Sequence, residues 1–255
     1  MTSMPSTPPD TPPGTPATQP APGQQPTGPA ARTPPDGRTP RPRRGHPLHW
    51  LTASALLYGL THHIGFGLAG LGTVDRTRWA DWIDILTPYT VLLTAAAALH
   101  TARAGRRTWA LYLTGAITYV EGHGIHLAAN SVGNDTPGHV AHLWDEAVGH
   151  YLWYAGTALV AAALTAALAH RPAPPAHLAL VPALGVAFTW TSNSLEGGTA
   201  LMGLAVATAF TAWGVHTRRT LGRVLIPAFA PAIVMLIGYG MWHDGFPQPS
   251  DIGWV

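Results

Sequence analysis

The stretch Glu121-Gly-His123-Gly-Ile-His126-Leu-Ala-Ala-Asn130 sets two imidazoles, a carboxylate and a carboxamide in an otherwise apolar run. His123, His126 and Asn130 are spaced three and four apart, so on a helix they form one stripe. Glu121 lies well around such a helix from His123 and faces a different neighbour. A second run, His142-Leu-Trp-Asp145-Glu146-Ala-Val-Gly-His150, repeats His142, Glu146 and His150 every four residues, with Asp145 beside them. Imidazole and carboxylate together suit zinc, iron, manganese or copper. Three protein ligands with one open position is the catalytic form of a zinc site, in which bound water attacks at neutral pH. The candidate ligands are His123, His126 and His150, with Glu146 or Asp145 as fourth ligand or general base. Glu121 is a supporting carboxylate, and Asn130 could orient a substrate carbonyl. The same groups could instead form a hydrogen-bonded packing network. They could also conduct protons or ions, which the membrane depth of Glu121 favours.

Several familiar centres are excluded. The Glu-x-x-His pairs of di-iron bundles and the His-Glu-x-x-His of zincins are absent. The chain has no Cys, which removes disulfides, thiolate nucleophiles and Cys-ligated metal centres.

The elements that must hold these residues are membrane helices. A bilayer core takes roughly 20 apolar residues per helix, and seven runs approach that length, at about 49–72, 83–102, 108–131, 143–169, 177–194, 199–217 and 222–243. The reading is an all-α bundle of seven transmembrane helices over residues 48–245. Pro182 makes the fifth run the weakest, and a re-entrant hairpin of the fifth and sixth is the alternative. With the amino terminus in the cytoplasm, twelve Arg fall inside and only Arg76 and Arg78 outside, as positive-inside bias requires. The carboxyl terminus, with a short tail over 246–255, is then extracytoplasmic.

In this orientation the third run goes outward and the fourth inward, so both polar stripes occupy the outer half and can face each other. Asn193 and Glu196 end the outward fifth run, His243 and Asp244 the outward seventh, and His62 and His63 lie past the middle of the first. Asn193, Glu196, His62, His63 and His243 are therefore candidates for substrate contact or support of the ligands. Gly122, Gly124 and Gly149, set among the His, would let the helices approach closely.

Residues 1–47 are rich in Pro and Thr and poor in large apolar side chains, which predicts a disordered cytoplasmic tail. The Arg41–Arg44 cluster reads as an anchor on anionic lipid rather than a nucleic-acid site. All 14 basic residues are Arg, which with the Ala, Gly and Pro load suggests a bacterial chain of the cytoplasmic membrane.

Helix number, together with His123, His126 and His150 beside Asp145, Glu146 and Asn130, resembles the seven-helix hydrolases that include alkaline ceramidases and adiponectin-type receptors. Those proteins hold zinc within the bundle by three His, with nearby Ser and Asp, and act on lipid amides. There one His is on an early helix and a pair is on the last; here the pair is on the third, and the last offers only His243. The resemblance implies zinc as the metal and a metal-dependent hydrolase acting on a lipid or other amphiphile. The runner-up is a transporter or sensor of a metal ion, proton or haem.

Overall fold

Pro47 opens the first helix, where a missing backbone N–H costs nothing. The computed structural model describes residues 47–217 and 220–254. Within them seven long helices follow one another: α1 (Pro47–Thr61), α2 (Trp79–Ala102), α3 (Arg106–Asp135), α4 (His139–Leu168), α5 (Ala176–Glu196), α6 (Ala200–His216) and α7 (Leu221–Trp242). The expected disordered tail lies outside the described residues, apart from Pro47. Four helices, α2, α4, α5 and α7, are long and apolar enough to cross a membrane. The helix α6 is apolar but has 17 residues, α1 has 15, and the 30-residue α3 carries Arg106, Arg107, Glu121 and Asp135. Leu93, Ile117, Val181, Leu201 and Val234 are largely exposed on the outside of the bundle. Such an apolar exterior is at odds with water and suits lipid.

The first helix stops well short of the expected residue 72. His62 and His63 are followed by Gly65, Gly67, Gly70 and Gly72, and glycine is a poor helix former. The chain passes through the turns Ile64–Gly67 and Ala69–Leu71 into a small hairpin, β1 (Thr73–Val74) with β2 (Thr77–Arg78). Its two turn residues, Asp75 and Arg76, both have positive φ, as the twist of a two-residue hairpin asks. Arg76 and Arg78 are neutralised locally. Arg76 pairs with Asp135 at 2.6 Å and Arg78 with Asp81 at 2.7 Å. Asp81 also accepts from Ser131 Oγ at 3.2 Å, tying the start of α2 to α3.

Two irregularities place site residues. The helix α2 breaks after Asp84 and resumes at Thr87, with Pro88 in its new first turn. The helix α4 contains a π segment, Leu143–Gly149. By contrast α5 continues through Pro182 without interruption.

Glycines set the packing of α3 on α4. The helices run antiparallel with Gly115 opposite Val160, Tyr119 opposite Gly156, Gly122 opposite Trp153, and His126 opposite Gly149. A Cβ on Gly149 would sit 2.9 Å from His126 N and Cα, and one on Gly115 would sit 2.8 Å from Val160 N. A Cβ on Gly122 would collide with the Trp153 backbone. Backbones this close need glycine. Gly124 does not share the role expected of it, because nothing lies within 4 Å of its Cβ position.

Candidate functional site

His62 follows the end of α1, Asp84 sits at the break in α2, His123 and His126 lie in the second half of α3, and Asp145, Glu146 and His150 near the start of α4. Asn193 and Glu196 end α5. In an antiparallel bundle these positions share one end, and the structure joins many of them around one ring. The indole of Trp153, itself buried, has ring-centre distances of 4.6 Å to His123, 5.2 Å to His126, 5.4 Å to His62 and 5.8 Å to His150.

On one side of that ring, His126, Asp145 and His150 each offer a ligand atom, and the three atoms lie within 4.8 Å of one another. His126 Nδ1 is 2.5 Å from Asp145 Oδ1, and the two imidazoles are 4.4 Å apart between centres. His150 Nδ1 faces Glu146 Oε2 at 3.3 Å. The π segment accounts for this grouping. On an α-helix, residues five apart point about 140° apart. A segment closed by i→i+5 hydrogen bonds brings them toward one face, so Asp145 joins His150. The four-residue stripe predicted from His142 through His150 is therefore only part of the arrangement, and His142 is exposed.

His123, expected as the third imidazole ligand, is not in this trio. It is almost fully buried, and its Nε2 faces Asp84 Oδ1 at 3.5 Å. Neither atom has a hydrogen bond among the described residues. Beyond it, His62 Nδ1 lies 2.8 Å from the Tyr58 carbonyl. A carbonyl only accepts, so in the neutral ring Nδ1 carries the proton and the bare Nε2 accepts the Tyr119 hydroxyl at 2.7 Å. The adjacent His63 turns the other way, with Nε2 3.3 Å from Thr189 Oγ1 on α5.

Glu146 is held from an unexpected direction. The residues after α7 fold back over this end of the bundle, and Gln248 Nε2 donates to Glu146 Oε2 at 2.5 Å and to the Glu196 carbonyl at 2.7 Å. Ser250 N donates to Glu196 Oε2 at 3.2 Å, and the Tyr239 hydroxyl donates to Pro247 O at 2.8 Å. His243 packs between Tyr239 and Trp254, at 4.4 and 5.1 Å between ring centres, rather than beside the trio. Asn193 is buried with Nδ2 unbonded among the described residues. Asn130 accepts from Asn134 at 3.1 Å and, with Asp145 and His142, lines a small polar cavity of about 210 Å³. Glu121 is exposed on α3, away from the face that carries His123 and His126.

Asp84, Trp153, Tyr58, Tyr119 and Gln248 were not among the expected site residues. Asp84 carried a signal, being an ionisable residue inside the 83–102 run, where such groups are costly. Gln248 carried none.

The trio fits a divalent ion chemically. Two imidazoles and a carboxylate are the donors of zinc, manganese or iron sites, and Glu146 beside His150 is the kind of carboxylate that orients a ligating His. Tetrahedral ligands at about 2.1 Å from one ion stand about 3.4 Å apart, so the widest pair of the trio must close by up to about 1.4 Å. Comparison with family models, with curated proteins and with solved structures found no match, and the functional reading rests on this geometry.

Proposed function

We infer that this chain is a multi-pass membrane protein whose seven helices all cross the bilayer, and that it is a metal-dependent hydrolase acting on a lipid or other amphiphile. The amino terminus is cytoplasmic and the site opens outward, on the Arg asymmetry of the loops. The observation that carries the reading is the meeting of His126, Asp145 and His150. These three would hold the ion, zinc by preference for this donor set. When bound, the ion supplies Lewis acidity and an activated water. Glu146 is the chain's own base: its carboxylate faces the trio and can take a proton at Oε2, the atom that Gln248 fixes. Asn130 lines the polar cavity beside Asp145 and is placed to bind a substrate carbonyl. Trp153 and the α3–α4 glycines exclude water from the buried side and keep the ligands at fixed spacing.

The test is lipid turnover by the purified protein in vesicles. The reading predicts product that disappears with chelation, returns with zinc, and is absent in His126→Ala and Glu146→Gln. One observation favours a second reading, transport of a proton or metal ion. From the trio, buried polar groups continue through His123 and Asp84 to His62 and Tyr119. Under that reading the vesicles show ion flux that His123→Ala abolishes, and no lipid product.

A further inference from the structure

The other half of the bundle holds a cavity of about 400 Å³. Leu48 and Tyr58 of α1, Leu164 of α4, Ala183 and Trp190 of α5 and Phe229 of α7 are among its walls, which are almost wholly apolar. None of the imidazoles and carboxylates around Trp153 lines it. Its size is that of a small-molecule site, roughly 300–1,000 Å³. From Leu48 to Tyr58 the walls follow α1 for about 15 Å at 1.5 Å per residue, half of the ~30 Å hydrocarbon core. The cavity is therefore one leaflet deep.

Leu48, Pro174, Pro175 and Leu221 line the end of the cavity where α1, α5 and α7 begin, and Tyr58 and Trp190 line it further along α1 and α5. Two cations lie beside the residues of that first end. The Arg171 carbonyl accepts from Leu221 N at 2.7 Å, and Arg223 lies in the same turn as the lining residues Leu221, Gly222 and Val224. Both Arg are exposed, and neither has a carboxylate partner among the described residues. Among the described residues the Arg171 guanidinium donates to the Ala102 carbonyl, at 3.1 Å.

An apolar slot one leaflet deep with a cationic rim is complementary to one class of molecule. We propose that the cavity binds one acyl chain of an anionic membrane phospholipid, with the phosphate at Arg171 and Arg223. This is a site separate from the trio and does not depend on a metal being there. A neutral headgroup would gain the slot but lose the rim. A basic residue near a membrane surface is worth about 1 kcal/mol to an anionic lipid, roughly fivefold in affinity.

The experiment uses the full-length protein in nanodiscs doped with chain-spin-labelled phosphatidylglycerol or with phosphatidylcholine carrying the same label. The expected result is a motionally restricted fraction for phosphatidylglycerol well above that for phosphatidylcholine. Ala183→Trp, which fills the slot, removes it. Arg171→Gln and Arg223→Gln each weaken it about fivefold. Equal restriction of the two lipids overturns the proposal, as does restriction that survives Ala183→Trp in folded protein. If Ala183→Trp does not fold, Ala183→Leu with counting of retained lipid by native mass spectrometry decides the matter by the same criterion. Metal content, measured in parallel, is unchanged in these variants, so failure of the lipid site and failure of the metal reading appear in different assays.

Discussion

Gly149→Ala puts the packing argument to a quantitative test. The added Cβ would sit 2.9 Å from His126 N and Cα and 3.0 Å from its Cβ, where ordinary contact begins at 3.4 Å. Two of the three atoms are backbone, so no rotamer change relieves the overlap, and α3 must retreat from the π segment by about 0.5 Å. Overpacking of this kind costs about 1–3 kcal/mol. The same retreat carries His126 away from His150. It adds to the closure of up to about 1.4 Å that the trio must already make around an ion, so metal affinity falls together with stability. Thermal melting in detergent and competition with a chromogenic chelator measure the two effects. Gly124→Ala is the control, because nothing lies within 4 Å of its Cβ position. There the helix gains up to about 1 kcal/mol from replacing glycine, and metal binding is unchanged. Equal melting points and equal affinities for the two variants would refute the close approach of α3 and α4 as the device that assembles the trio.

Three further outcomes follow from the same geometry. Gln248→Ala frees Glu146 and opens the segment over the site, so metal affinity falls about 10–100-fold, the usual effect of losing a ligand's supporting partner, and chelator strips the ion faster; unchanged stripping would remove Gln248 from the site. Asp84→Asn and His123→Gln, combined in a double-mutant cycle of stability, give a coupling of about 0.5–3 kcal/mol; additivity would mean that the 3.5 Å approach carries no interaction. A reporter fused after residue 255 appears on the extracytoplasmic side, and a cytoplasmic signal would overturn the orientation.

Much of the helical layout was legible because long apolar runs broken by Arg, Gly and Pro leave few alternatives. The polar face of α3 was legible too, since three- and four-residue spacing fixes which side chains share a face, whereas on α4 that spacing joins Glu146 and His150 but leaves His142 exposed. What could not be read was the local departure from that spacing. Asp145 reaches His150 because residues 143–149 wind as a π segment, and nothing in Leu-Trp-Asp-Glu-Ala-Val-Gly announces i→i+5 bonding. Residues 64–72 are apolar enough to extend α1, but their four glycines make them poor helix formers, and the helix ends at Thr61. Asp84 and Gln248 reach the site through long-range packing: one at a helix break 39 residues before His123, the other 102 residues after Glu146. Periodicity within a single helix carries no information about such partners.

The most direct test of the central claim is the metal content of the purified protein, wild type beside His126→Ala, Asp145→Ala and His150→Ala. The account predicts near-stoichiometric divalent metal in the wild type, lost in each of the three variants while the helical fold persists. Wild-type protein that stays free of metal after equilibration with zinc, manganese or iron, or metal retained when all three residues are replaced, would contradict it.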